Sequence, residues 1–218
     1  GCFAVGDTAT LARALALVQP PGRPALAVQR IEHLDTLADL PPHILPVWQL
    51  PGLPQSVPLG VASAEAGRAA ADCVLWATRA ALAGQVAGLV TAPLHKEALA
   101  AAGVPYPGHT ELLQAEAARH AGVPIAQMPV RMMLASDELR TVLVSIHMAL
   151  REAIAAVTLD NVLQTLHITH AALGRSLGRA PRMAVAGLNP HAGEGGLFGR
   201  EELDIIAPAI AAARAAGL

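Results

Sequence analysis

The sequence is poor in aromatic residues, in cysteine and in charge of either sign. Aromatics are 2% of the 218 residues and charged residues 15%, against 53% hydrophobic. With so few rings, a core must be assembled from Ala, Val, Leu and Ile. That suits close-packed helices on a sheet and argues against an aromatic-rich binding module. Fifteen Lys and Arg stand against 17 Asp and Glu, a net charge of −2. No basic field exists to neutralise a nucleic-acid backbone, and no polybasic run to hold an anionic membrane surface. Apolar stretches are broken by Arg, Gln, Asp or Pro well short of the ~18 residues a membrane span needs. The first residues carry no charged and apolar pattern of a secretory signal. Two cysteines, Cys2 and Cys73, make no disulfide framework, which places the chain by default in a reducing cytoplasm.

What is present is a hydrophobic chain of mean hydropathy +0.44, which excludes a disordered one. Its length allows one large domain or two small ones. Both ends read as cut: Gly1 to Asp7 resembles the tail of a strand entering a loop, and the close at Ala215-Ala216-Gly217-Leu218 resembles a helix stop. Asp7 or Thr8 can cap a helix over residues 11–16. Residues 19–60 are Pro-rich, with short strand candidates at Ala25–Val28 and His43–Val47 and a loop from Pro51 to Gly60. Ser63 caps an Ala-rich helix over about 64–83 that Gly84 stops. Ala87–Thr91 reads as a buried strand, and a helix follows over Lys96–Ala102. Glu111–Ala121 is helical, and Val130–Ala135 and Leu139–Ile146 form an antiparallel hairpin. Helices follow over about 149–156 and 159–177, the second capped by Thr158 and ending near Gly178. Arg182–Leu188 reads as a further buried strand, and Glu201–Ala216 as the last helix. The class is α/β, several parallel-type strands between helices plus one hairpin.

In such sheets chemistry collects at the carboxyl ends of strands, and three polar clusters fall there: Thr91–Lys96, Ser145–His147 and Asn189–Gly199. The last is the strongest signal. An apolar strand enters a loop with four glycines, one His and one Glu, then an acid-headed helix. Glycine at that density lets backbone approach a ligand, and His191 there can ligate a metal or move a proton. A flexible connector with an incidental His is the plain alternative. The loop lacks the order of a dinucleotide fingerprint. His147 ends the run Val142–Ile146 and reads equally as a ligand or as a solvent-facing strand-end residue. With His191 it offers two imidazoles, whereas a catalytic divalent site takes three protein ligands; His109, His95 or a carboxylate are candidates for the third. Gly108-His109-Thr110-Glu111 suits an anion at a helix N-terminus, or a plain cap in which Thr110 serves the backbone. Lys96 opposes the dipole of its helix, which hints at anion pairing or is only solvated. His167 and His170 are expected to be a surface pair, and Cys73 a small core residue.

These clusters, in this order, resemble the 4-hydroxythreonine-4-phosphate dehydrogenase family of pyridoxal phosphate biosynthesis. The matching segments are Val90–Lys96, Gly103–Glu111, Met132–Ala135, Ser145–His147 and Gly187–Gly199, nearly continuous from residue 60 onward and weak before it. The resemblance implies a two-domain α/β/α sandwich like that of isocitrate dehydrogenase, incomplete here at both termini, and a homodimer with the active site at the interface. It implies NAD- or NADP-linked oxidation of 4-phosphooxy-L-threonine, then decarboxylation to 3-amino-2-oxopropyl phosphate, with a divalent metal (zinc, magnesium or cobalt) as Lewis acid. By motif, His147 and His191 are two of three metal ligands, and His109 and Thr110 contact substrate. The family's opening Pro-Gly segment, its Tyr-His-Asp-Gln-type third ligand and its nicotinamide-binding segments have no match in these 218 residues. Two rivals stand beside this: a sister dehydrogenase acting on 4-phosphoerythronate or 4-phospho-D-threonate, and a non-catalytic metal- or phosphate-binding α/β domain.

Overall fold

A strand needs a neighbour, and the first sixty residues supply their own. The computed structural model describes residues 1–19, 22, 24–54 and 57–218. Strands β1 (Ala4–Gly6), β2 (Ala27–Ile31) and β3 (Ile44–Gln49) form a parallel sheet of order β1-β3-β2. Ala4 pairs with Val47, and Ala27 with Ile44. Pro46 lies in the central strand, before the β1 ladder begins at Val47, where a missing donor costs least. Helix α1 (Thr8–Val18) follows β1, capped by Asp7, whose Oδ2 accepts from the Thr10 N–H at 2.7 Å. Gln49 ties the end of β3 to that cap. Its Nε2 donates to Asp7 Oδ1 and its Oε1 accepts from the Thr8 N–H. The loop expected over Pro51–Gly60 is observed except at residues 55 and 56, which lie outside the described residues.

Helix α2 (Ala64–Leu82) runs with the predicted bounds, Ser63 Oγ accepting from the Ala66 N–H. Its Trp76 stacks on Trp48 of β3 at 4.8 Å and meets Phe3 edge-on at 6.1 Å, so three of the chain's five aromatic rings bind α2 to the sheet. Gly67 faces helix α3 (Lys96–Ala101): a Cβ there would run into the Ala98 carbonyl. A glycine inside a helix costs about 1 kcal/mol against alanine. Here it permits close approach, over the core of Ala71, Leu99 and Val104. Helix α4 (His109–Ala121) is fastened to α2 by Glu116, nearly buried, whose carboxylate accepts from Arg79 Nε at 2.8 Å and Arg119 Nη2 at 2.6 Å. Cys73 is half-buried, and burial, then Asp72, pushes its thiol up to about 11, so it is packing and no nucleophile.

The chain divides into two compact units, Gly1–Pro129 and Val130–Leu218. The second opens with the expected hairpin, β4 (Met133–Ala135) antiparallel to β5 (Arg140–Val142), shorter than the apolar runs suggested. Helices α5 (Leu150–Ala155) and α6 (Leu159–Leu177) follow. Thr158 caps α6 and Gly178 closes it in a left-handed conformation, as the sequence predicts. Arg131 and Asn161 pin the hairpin side to α6. Arg131 donates to Thr165 Oγ1, Asn161 Oδ1 and Gln164 Oε1. Asn161 Nδ2 donates to the Val144 carbonyl at 3.3 Å. The last expected helix runs without a break from Glu201, a π-type segment Glu202–Ile206 leading into α7 (Ala207–Ala215), with Ile206, Ala209 and Ala213 buried.

Two expected strands do not form. Ala87–Thr91 and Arg182–Leu188 carry the apolar composition of buried strands, yet neither is paired, and Val90 is fully exposed. Pro181–Val185 does alternate between half-buried and exposed, as one-sided extended chain would. The physical reason is the ladder: composition favours extension, but only a neighbouring strand satisfies the backbone. None of the described segments takes that place.

Candidate active site

His109 is the first residue of α4, with Gly108 at the N-cap in extended backbone. Thr110 therefore lies inside the first turn and does not cap it, a correction to the capping role the sequence suggested. An N-cap needs β-region backbone, and glycine takes that place more readily ahead of a helix-compatible His-Thr-Glu. His109 Nε2 is buried and, among the described residues, is the only buried side-chain N or O without a hydrogen-bond partner. Such an atom costs stability unless something meets it. His95, the other imidazole of this unit weighed as a ligand, already has work. Its Nδ1 accepts from the Ala98 N–H at 3.3 Å and caps α3. A cleft of about 390 Å³ opens beside it, lined by Val61, Gly67, Pro93, Leu94 and Leu99 among others; it touches none of His109, Thr110, His147 or His191.

In the second unit, His147 is exposed and left-handed, φ 51°, at the end of the run that Asn161 holds at Val144. His191 is exposed at φ 52° and opens six consecutive residues of positive φ, through Ala192, Gly193, Glu194, Gly195 and Gly196. For residues other than glycine this conformation costs roughly 1–2 kcal/mol each, so the loop must be held from outside. Glu202 holds it. Its Oε1 accepts from the Leu188 and Asn189 N–H groups at 2.7 Å each, and its Oε2 from Asn189 Nδ2 at 2.9 Å. Glu201 accepts from the same amide at 2.7 Å. The Asn189 backbone N–H, then its side chain, draw the Glu202 carboxyl down to about 2, so it is an anion throughout the physiological range. Gly193 is buried under this lattice, with no room for a Cβ between the Gly199 carbonyl and Glu202. The His191 ring leans on Phe198 at 6.3 Å. The acid-headed helix was visible in the sequence, but that its acids reach back to Asn189 was not, because the partners are 12 and 13 residues apart.

Among the described residues no group of three His, Cys, Asp or Glu converges as a metal cage. His147 and His191, both exposed, fit a divalent ion in donor type, since imidazole nitrogen suits such metals. They are an incomplete set in number.

The profile of one family, described as pyridoxal phosphate biosynthetic protein PdxA, matches residues 1–218. The chain belongs to the PdxA family. It is 53% identical over 162 residues to a 4-hydroxythreonine-4-phosphate dehydrogenase of Beijerinckia indica, covering 73% of this chain and 45% of that one. It is 40% identical over 215 residues to a D-threonate 4-phosphate dehydrogenase of Salmonella typhimurium, covering 98% of this chain and 62% of that one. The crystal structure of a 4-hydroxythreonine-4-phosphate dehydrogenase from Klebsiella pneumoniae superposes with a TM-score of 0.83 at 39% identity, over 98% of this chain and 61% of that one. This PdxA-family chain thus spans about half to three-fifths of the length of these relatives, and its α/β class is theirs. No helix among its described residues is long and apolar enough to cross a membrane.

Proposed function

We propose that this PdxA-family chain forms the larger part of a metal-dependent dehydrogenase that oxidises 4-phosphooxy-L-threonine with NAD or NADP, the product decarboxylating to 3-amino-2-oxopropyl phosphate. The observation that carries it is the buried, unpartnered Nε2 of His109 at the N-terminus of α4. A phosphorylated hydroxy acid presents the oxygens that would meet that nitrogen, and the first-turn N–H groups of α4 favour its negative charge. Thr110, one residue on, would add a hydroxyl donor to the same substrate. His147 and His191 would hold the divalent ion (zinc, magnesium or cobalt), with a third ligand from outside the described residues. Bound there, the ion supplies Lewis acidity to the hydroxyl being oxidised. The left-handed backbone at both histidines would keep the imidazoles aimed, with Glu202 bonded to the chain just before His191 and Asn161 bonded to Val144, three residues before His147. We place the active site at the interface of a homodimer in the cytoplasm.

The relative named for D-threonate 4-phosphate keeps a second substrate in play. Both compounds carry the phosphate that His109 and Thr110 would bind, so the pair does not discriminate between them. The test uses protein from the complete reading frame, assayed for nucleotide reduction with each phosphorylated substrate and for metal content. Wild type is expected to reduce nucleotide with 4-phosphooxy-L-threonine at the higher kcat/KM. His109→Ala should raise KM roughly tenfold or more, while His147→Ala and His191→Ala lose metal and rate together. A higher kcat/KM with D-threonate 4-phosphate reassigns the substrate. Metal binding without nucleotide reduction on either compound removes the dehydrogenase reading.

A further inference from the structure

The segment from Gly187 to Gly199 makes an unfavourable turn that leaves one imidazole exposed, and two consecutive glutamates reach back to hydrogen-bond its start. We propose that Glu202, assisted by Glu201, is the positioning residue of the metal site: by gripping Leu188 and Asn189 it locks the left-handed turn that presents His191. This rests on the reading of His191 as a metal ligand.

The argument is one of geometry. A single carboxylate takes three donors at 2.7, 2.7 and 2.9 Å, from two successive backbone N–H groups and the Asn189 amide. Two of those donors are backbone, so the grip sets the path of the chain and not merely one rotamer. Asn189 then starts the turn, its carbonyl accepting from the Ala192 N–H at 3.1 Å, and the turn closes where the Phe198 N–H donates to the Gly193 carbonyl at 3.1 Å. Gly193 and Gly199 are the points where this lattice is too close for a side chain: a Cβ would stand 2.9 Å from Glu202 Oε2 and 2.6 Å from Glu201 Oε2 respectively, while at Gly187 it would only touch Glu202 Oε1 at 3.4 Å. Two of the segment's glycines therefore make room for the two acids. The density of glycine that marks the loop as a ligand cradle is, at these positions, a cradle for carboxylates of the same chain. His191 itself touches neither acid; it leans on Phe198. Glu202 thus acts on the metal only through the backbone, in the manner of outer-shell groups whose loss typically costs 10–100-fold in metal affinity.

The experiment compares the complete protein with Glu202→Ala, Glu202→Gln and His191→Ala. Two readouts are taken: zinc affinity by competition with a chromophoric chelator, and amide hydrogen exchange of residues 187–199 in metal-free protein. Glu202→Ala is expected to weaken zinc 10–100-fold and to speed exchange across the loop at least tenfold, with exchange in α6 unchanged. Glu202→Gln is expected to be intermediate: its oxygen still accepts the two backbone N–H groups, while its amide opposes that of Asn189. Zinc affinity within twofold of wild type in a folded Glu202→Ala, or loop exchange at the wild-type rate, overturns the proposal. If His191→Ala keeps wild-type zinc affinity, the ligand reading fails on its own. The metal arm falls with it, while the exchange readout still decides whether Glu202 holds the loop. Should Glu202→Ala fail to fold, Glu202→Gln decides by the same two readouts.

Discussion

At the scale of single residues, charge is used in this protein to fasten backbone and helices. Glu116 is the clearest case. The Arg79 side chain, then Arg119, hold its carboxyl down to about 2 from the usual 4.5. A carboxyl depressed in the folded state contributes stability that is fully present above pH 4.5 and is lost as pH falls through about 2. Both arginines are more than half exposed, so solvent screening leaves about 1–2 kcal/mol of the ideal figure. Glu116→Gln should therefore destabilise the protein by about that amount at pH 7. The gap between variant and wild type should close as the pH approaches 2; chemical unfolding at pH 7, 4 and 2.5 measures it. A gap that stays constant with pH would mean that the packing of Glu116, and not its charge, ties α4 to α2. The histidines show the other side of residue-scale reading. His109, His147 and His191 were all nameable from the sequence by their motifs. What singles out His109, a buried nitrogen with no partner, is a property of its surroundings.

At the scale of elements, capping chemistry and close approach decide the helices. Ser63 and Thr158 start α2 and α6 where the sequence places them, because an N-cap is a local event among residues three apart. Gly67 is different. Within α2 it reads as a mild defect, and only the α3 backbone lying against it explains it. Gly67→Ala should gain up to about 1 kcal/mol of helix propensity. It should still lose roughly 2–3 kcal/mol net by forcing the Ala98 carbonyl away. In the complete protein that is a fall in melting temperature of roughly 3–4 °C. A rise in melting temperature would show that α2 and α3 are further apart than described. The last helix forms as its apolar spacing predicts, but the π-type widening at its start escaped the sequence; that is where Glu201 and Glu202 reach back to Asn189.

At the scale of the whole molecule, surface area is the telling quantity. The chain exposes 14145 Å² for 22.3 kDa. A compact monomer of that mass exposes roughly 9,400 Å², and even two unconnected bodies sharing it would expose roughly 11,000 Å². The excess lies partly in apolar side chains such as Val90, Leu134, Leu150 and Phe198, and in the unpaired runs 87–91 and 182–188. The relatives are longer, this chain covering 62% of one and 61% of another. The 218-residue polypeptide produced alone should accordingly bind a hydrophobic dye strongly, melt without a sharp transition, hold zinc weakly and reduce no nucleotide. The complete protein should do the reverse. Sharp melting with no dye binding in the 218-residue form, or any nucleotide reduction by it, would contradict this.

The sequence by itself determined the α/β class, the caps of α2 and α6, the hairpin between β4 and β5, and the polar motifs that mark the family. All of these rest on local chemistry: hydroxyl caps, turn residues and short-range alternation need only neighbours a few positions away. The tertiary structure alone decided three other matters. Ala87–Thr91 and Arg182–Leu188 stay unpaired because a strand is made by its partner and not by its own composition. Gly67 is required because another helix's backbone lies where its side chain would be. The left-handed turn at His191 exists because Glu202, 13 residues beyond Asn189, returns to hold it. Each is an interaction between segments whose separation along the chain carries no periodic signal.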